Sequence, residues 1–109
     1  MEKDLIVLAD EVYENLTFGN AEHVSIASLP GMSSRTVTVS SAAKSFNCTG
    51  WKTGWAIAAP KLLDGVIKAK QFTTFVSTTP FQPAVAHALH YERDWLTGMV
   101  SELEECRTI

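Results

Sequence analysis

Residues 5–13 read Leu5-Ile6-Val7-Leu8-Ala9-Asp10-Glu11-Val12-Tyr13, a short apolar run that stops at two carboxylates. A continuous, partly β-branched run of this length predicts a strand covered on both faces, the usual state in a parallel α/β sheet. Thr36-Val37-Thr38-Val39-Ser40 predicts a second strand. Gly54-Trp55-Ala56-Ile57-Ala58-Ala59, stopped by Pro60, predicts a third. Between the first two lie a turn at Phe18-Gly19-Asn20 and a short helical turn near Ile26 to Leu29, ended by Pro30-Gly31. No helix long enough for a full crossover separates those strands, so the sheet is expected to be mixed rather than purely doubly wound.

From Pro60 the period changes. Leu62, Leu63, Val66, Ile67 and Lys70 recur at three- and four-residue steps, with Pro60 at the first helical position. This stripe reads as core, although Gly65 weakens the helix by about 1 kcal/mol relative to Ala. Val76-Ser77-Thr78-Thr79 breaks it. A second helix is expected from near Pro80 through Ala84, Val85, Ala88 and Leu89. A last one carries Trp95, Leu96, Met99, Val100 and Leu103, with Glu102, Glu104 and Glu105 toward solvent. The expected order is therefore strand, strand, strand, then helices.

Composition narrows the function classes. The 109 residues carry 9 Lys+Arg against 12 Asp+Glu, a net charge of −3, with 46% hydrophobic and 19% charged residues. That is an ordinary globular balance. With no basic block, nucleic acid is not an expected partner. No apolar run reaches the ~20 residues that span a bilayer, so no membrane is expected either. The opening Met1-Glu2-Lys3-Asp4 does not read as a signal peptide. Cys48 and Cys106 lie far apart, forming neither a metal-ligand spacing nor a disulfide framework, so a reducing cytoplasm is the default. His87 and His90 sit at i and i+3 without a third ligand, and no metal site is expected. His23 reads as an exposed loop residue. Cys48 reads as a small buried side chain.

Three local patterns carry chemistry. Asp10-Glu11-Val12-Tyr13 follows the first strand, Ser40-Ser41-Ala42-Ala43-Lys44-Ser45-Phe46 follows the second, and Thr49-Gly50-Trp51-Lys52-Thr53-Gly54-Trp55 leads into the third. Each alone has an ordinary reading: a turn aspartate, a helix start with a solvated lysine, a tight turn with packing tryptophans. Together they set a carboxylate, a phenol, two lysines and small hydroxyls around strand ends, where open α/β sheets bind ligands. Pyridoxal phosphate wants that set. Its aldehyde needs a lysine amine for a Schiff base, and its pyridine nitrogen needs a carboxylate to remain an electron sink. The phenolic oxygen wants a donor such as tyrosine, and the phosphate wants a cation and hydroxyls.

On those same residues, Asp10-Glu11-Val12-Tyr13, Ser41-Ala42-Ala43-Lys44 and Gly50-Trp51-Lys52-Thr53-Gly54-Trp55, the chain resembles the large domain of a class I/II, fold-type I aminotransferase. Lys44 follows Asp10 by 34 residues and Lys52 follows Lys44 by 8, in the family's order. The resemblance covers roughly Leu5 to Leu89. It implies a PLP-dependent transferase-like large domain, a three-layer α/β/α arrangement with a mostly parallel sheet. Residues 1–91 would be part of that domain, and 92–109 a helix leading out toward a small C-terminal domain. It implies that Lys44 carries the cofactor and moves the proton, Asp10 pairs with the pyridinium nitrogen, Tyr13 bonds the phenolic oxygen, and Ser41 and Lys52 bind the phosphate. A cation at Lys52 near Lys44 would help keep its amine nucleophilic.

The phosphate cation is most often arginine in this superfamily, and Lys52 gives a point charge instead of a fork. That variant resembles the kynurenine aminotransferase, glutamine transaminase K and cysteine-conjugate β-lyase subgroup, and the bacterial N-succinyldiaminopimelate aminotransferases. The stretch Phe72 to Gln82 looks like the part that approaches the partner subunit in these homodimers. The implied activity is amino transfer between an amino acid and a 2-oxo acid. A carbon–sulfur β-lyase on the same scaffold, an aminotransferase-like sensing domain of a transcription regulator, and an inert fragment stay open. Family members are several times longer, so the 109 residues read as a slice of the large domain. Alone they are expected to be inactive and to expose apolar surface.

Overall fold

The computed structural model describes residues 3–107. Strands β1 (Val7–Asp10), β2 (Thr36–Ser41) and β3 (Gly54–Ala58) form one sheet in that order. Helices α1 (Ala42–Ser45), α2 (Pro60–Thr73), α3 (Gln82–Tyr91) and α4 (Arg93–Arg107) follow, with single 3₁₀ turns at Ile26–Ser28, Thr49–Trp51 and Thr79–Phe81.

β1 and β2 are parallel, pairing Val7 with Thr36 through Asp10 with Val39. β2 and β3 are antiparallel, from Val37 opposite Ala58 to Ser41 opposite Gly54. The sheet is therefore mixed. The missing crossover helix does not mark the antiparallel pair, however: the parallel pair is joined by an irregular crossover over residues 11–35, and β2 turns back into β3 through the short α1 and the 3₁₀ turn at Thr49–Trp51. The crossover needs no helix because side chains pin it, Arg35 donating to the Leu5 carbonyl at 3.0 Å and to Asp4 at 2.9 Å, and Glu11 gathering the loop near Ile26.

Local chemistry explains the helix ends. Pro60 occupies the first turn of α2, where a missing N–H costs nothing. α2 closes when the Thr74 and Phe75 amides both return to the Lys70 carbonyl, at 3.2 and 2.9 Å, with Phe75 left-handed at φ 56°. Glu92 separates α3 from α4, its amide bonding Ala88 at 2.9 Å. α4 carries Asp94 in its first turn and Arg107 in its last, each opposite in sign to the nearby end of the helix dipole.

The core is small. Among the described residues the buried apolar side chains are Ala9, Val37, Ala42 and Val85. The Leu62/Leu63/Val66/Ile67 stripe, expected as core, holds no buried residue; Ile67 is 50% exposed. The first strand is not covered on both faces either: Leu8 is 72% exposed. The cause is the same in both places, because no described segment packs over those surfaces. The Cα radius of gyration is 16.0 Å, against about 13 Å for a compact domain of this length.

Candidate active site

The sheet brings all three motifs to one edge. Parallel β1 and β2 both end there, at Asp10 and Ser41, and antiparallel β3 begins there, at Gly54. Cross-strand partners share a face, so Asp10 lies on the side of Val39 and, two residues on, of Ser41.

Asp10 is exposed, and its Oδ1 accepts the Val12 amide at 3.3 Å, which turns the chain out of the strand. The segment after it is fastened at two points. Ser40 Oγ donates to Glu14 Oε1 at 2.8 Å, and Asn15 Nδ2 donates to Ser45 Oγ at 3.0 Å. Both serines are buried. Tyr13 precedes those pins and Lys44 precedes Ser45, so the bonds bring the two together: Lys44 Nζ sits 5.9 Å from the Tyr13 ring centroid, at the outer reach of a cation–π contact.

Ser41 caps α1, its Oγ accepting the Ala43 amide at 3.3 Å. It also lines a pocket of about 370 Å³ with Ala43, Thr49, Lys52, Thr53 and Gly54. A lysine, hydroxyls and a glycine that leaves room at the wall suit a phosphate group. Gly54 is required there by close approach: a Cβ would stand 2.7 Å from the Ser40 carbonyl oxygen and 3.2 Å from Ser41 Cβ. Lys44 borders a different groove, with Leu16, Asn47, Met99, Glu102, Leu103 and Cys106. The structure thus joins Ser41 to Lys52 and Tyr13 to Lys44, but does not open the two lysines into one pocket.

Glu11 is legible as part of a motif but not as an acid with three hydrogen-bond partners. It is 8% exposed. Oε1 accepts Ser25 Oγ and the Ile26 amide, both at 3.1 Å, and Oε2 accepts His23 Nε2 at 3.1 Å. Burial pushes its carboxyl up, but these hydrogen bonds and the His23 ring outweigh that and hold it below its ordinary value. His23 lies in an exposed loop as expected, yet its ring is engaged. Nothing in the spacing of Glu11 and His23 signals the pairing, since the intervening chain is irregular.

Several other side chains pack locally. Trp51 stacks on Phe81 with centroids 4.5 Å apart. His87 and His90 both rest against the Tyr91 ring, at 4.7 and 4.5 Å. Cys48 is half-buried rather than fully buried, its thiol donating to the Ala42 carbonyl at 3.3 Å. Of the acidic tail, Glu104 is engaged, accepting the Gly19 amide at 2.9 Å. No described helix is long and apolar enough to cross a membrane.

Comparison with known proteins places this geometry. A probable N-succinyldiaminopimelate aminotransferase of Mycobacterium tuberculosis is 50% identical over 104 residues, 95% of this chain and 26% of its own length. The kynurenine–oxoglutarate transaminase of Dictyostelium discoideum is 47% identical over 83 residues, 76% of this chain and 19% of its own length. A solved structure of N-succinyldiaminopimelate aminotransferase from Mycobacterium tuberculosis superposes with a TM-score of 0.93 at 50% identity, covering 95% of this chain and 27% of that one. The chain spans about a quarter of the length of the relatives it matches. The model of the family "Aminotransferase class I and II" matches residues 1–109, and the chain belongs to that family.

Proposed function

We propose that these residues form part of the large domain of a pyridoxal-phosphate-dependent aminotransferase that exchanges an amino group between an amino acid and a 2-oxo acid. The observation that carries the reading is the convergence of Asp10, the Ser41-to-Lys44 segment and the Lys52-to-Gly54 segment on one sheet edge. Family membership and relatives named as transaminases support it.

The donor set fits the cofactor. When bound, pyridoxal phosphate supplies the electron sink that weakens the substrate Cα–H bond. Lys44 Nζ would be the amine that holds it and the base at the substrate Cα. Asp10 is the carboxylate for the pyridine nitrogen. The Tyr13 hydroxyl donates to the phenolic oxygen. Ser41 and Lys52 hold the phosphate in the pocket that they line. On this reading α4 leads toward a smaller second domain, the working unit is a homodimer of longer subunits, and the 109 residues alone do not turn over substrate. The free cysteines Cys48 and Cys106 suit a cytoplasmic setting.

The test uses the full-length protein. Borohydride reduction followed by peptide mass spectrometry should find a pyridoxyl group on Lys44, and Lys44→Ala should abolish amino transfer to a 2-oxo acid. N-succinyldiaminopimelate and kynurenine are the first amino donors to try. A pyridoxyl group on another lysine, or transfer that survives Lys44→Ala, overturns the assignment. Pyruvate and ammonia released without added oxo acid would mark a β-lyase instead.

A further inference from the structure

Among the described residues four non-glycines hold left-handed backbone: Asn47, Lys52, Phe75 and Thr78, the last at φ 40°. A β-branched residue tolerates this region poorly, and such a conformation persists only where its surroundings over-determine it. One of the four, Thr78, is tied to Thr53, the residue that follows another of them, Lys52. Thr78 Oγ1 lies 2.9 Å from Thr53 Oγ1, and Thr53 Oγ1 lies 3.3 Å from the Trp51 carbonyl oxygen. That carbonyl can only accept, so Thr53 donates to it and Thr78 donates to Thr53. Thr53 is buried, and its own carbonyl accepts the Ala42 amide at 3.0 Å, next to Ser41. On the other side of Lys52, the Trp51 ring stacks on Phe81. Both neighbours of Lys52 are therefore fastened to the single 3₁₀ turn that Thr78 precedes.

We propose that Thr78 is a positioning residue for the anion pocket, acting through Thr53 to hold Lys52 in the left-handed conformation that puts its side chain on the pocket wall. The proposal rests on reading that pocket as the phosphate site. Without the Thr78 hydroxyl, Thr53 loses its incoming hydrogen bond, and the strained Lys52 backbone loses a tie that keeps it from relaxing. The lysine then drifts from the wall, and only ligands that carry a phosphate register the loss.

The full-length apoprotein is titrated by absorbance with pyridoxal phosphate and with pyridoxal, which lacks the phosphate. Thr78→Ala should weaken pyridoxal phosphate about three- to tenfold, the range for one lost hydrogen bond, and leave pyridoxal unchanged. Thr78→Ser keeps the hydroxyl and should restore wild-type affinity. In a Lys52→Ala background Thr78→Ala should add nothing, because a residue acting through Lys52 has nothing left to position. Thr53→Ala removes the acceptor and carries the same expectation should Thr78→Ala not fold. Equal weakening of both ligands, no weakening of either, or a loss that adds to Lys52→Ala overturns the proposal. A wild type that binds neither ligand overturns the cofactor reading itself.

Discussion

Strand β2 with its neighbours and the helices distribute polarity in opposite ways. At the sheet, polar side chains are buried: Thr36, Thr38 and Ser40 of β2, with Glu11 and Ser45 beside it. Along the helices, apolar side chains are exposed: Phe72 at 90%, Trp95 at 51%, Ile67 at 50%. Hydrophobicity alone would assign the two regions the other way round. The buried polar groups are tolerated where hydrogen bonds answer them, as Glu14 answers Ser40 and Asn15 answers Ser45. The Thr36 and Thr38 hydroxyls and Arg35 Nε are buried without a partner among the described residues, so even the sheet is not fully satisfied. Order at the edge that gathers the three motifs comes from directional bonds, while the apolar area of the helices stays uncovered among the described residues.

The comparison breaks most visibly at Glu11. Replacing it with Ala leaves His23, Ser25 and the Ile26 amide without their acceptor, and should cost about 1–3 kcal/mol of stability by denaturant titration. The effect has a pH signature. The folded carboxyl titrates below its ordinary 4.5, so its contribution is present above that value and is lost as pH falls through the folded value. The gap between wild type and Glu11→Gln should therefore be full at neutral pH and close below pH 4.5. A gap that persists into strong acid would show that Glu11 acts by packing. Gly54→Ala should follow, at about 1–2 kcal/mol for a forced shift of backbone, because the new Cβ meets the Ser40 carbonyl. It should weaken phosphate-bearing ligands as well, since Ser41 must move with its strand. Ser41→Ala comes next, at about 1 kcal/mol for a lost helix cap, plus a separate loss of cofactor affinity. Equal affinities for wild type and Ser41→Ala would remove Ser41 from the phosphate site.

Legibility in the sequence followed the same division. The strands were readable because β-branched runs such as Thr36-Val37-Thr38-Val39 have few other solutions, and α2 because Pro60 marks its start. The observed elements begin and end within a few residues of those expectations; β1 starts at Val7 rather than Leu5. The three motifs were readable because each follows or precedes a strand, so topology alone carries them to one edge. What could not be read was anything that depends on an irregular loop returning to the sheet. Glu11 finds His23 across a segment with no period, and Thr53 finds Thr78 across 25 residues. No propensity scale would nominate a threonine for φ 40°. The stripe of α2 reads as core in the sequence and holds no buried residue in the structure, because periodicity gives the apolar face and not what covers it.

That last point gives the smallest predicted effect and the cleanest separation of the two regions. Phe72 is the most exposed large apolar side chain described, and Phe75 stands near it in a left-handed turn that Lys70 Nζ holds by its carbonyl at 3.0 Å. Phe72→Ser removes no contact within these residues that could stabilise them. Its effect on intrinsic stability should stay within about 0.5 kcal/mol, as for surface changes away from any special feature. If this stretch meets a partner subunit, the same change should instead raise the concentration below which the full-length protein dissociates, read by sedimentation at serial dilution. Destabilisation of the monomer by more than about 1 kcal/mol, with assembly untouched, would mean that Phe72 belongs to a core built by its own subunit. The exposed half would then resemble the buried one, its apolar groups satisfied within the chain as the polar groups of the sheet are.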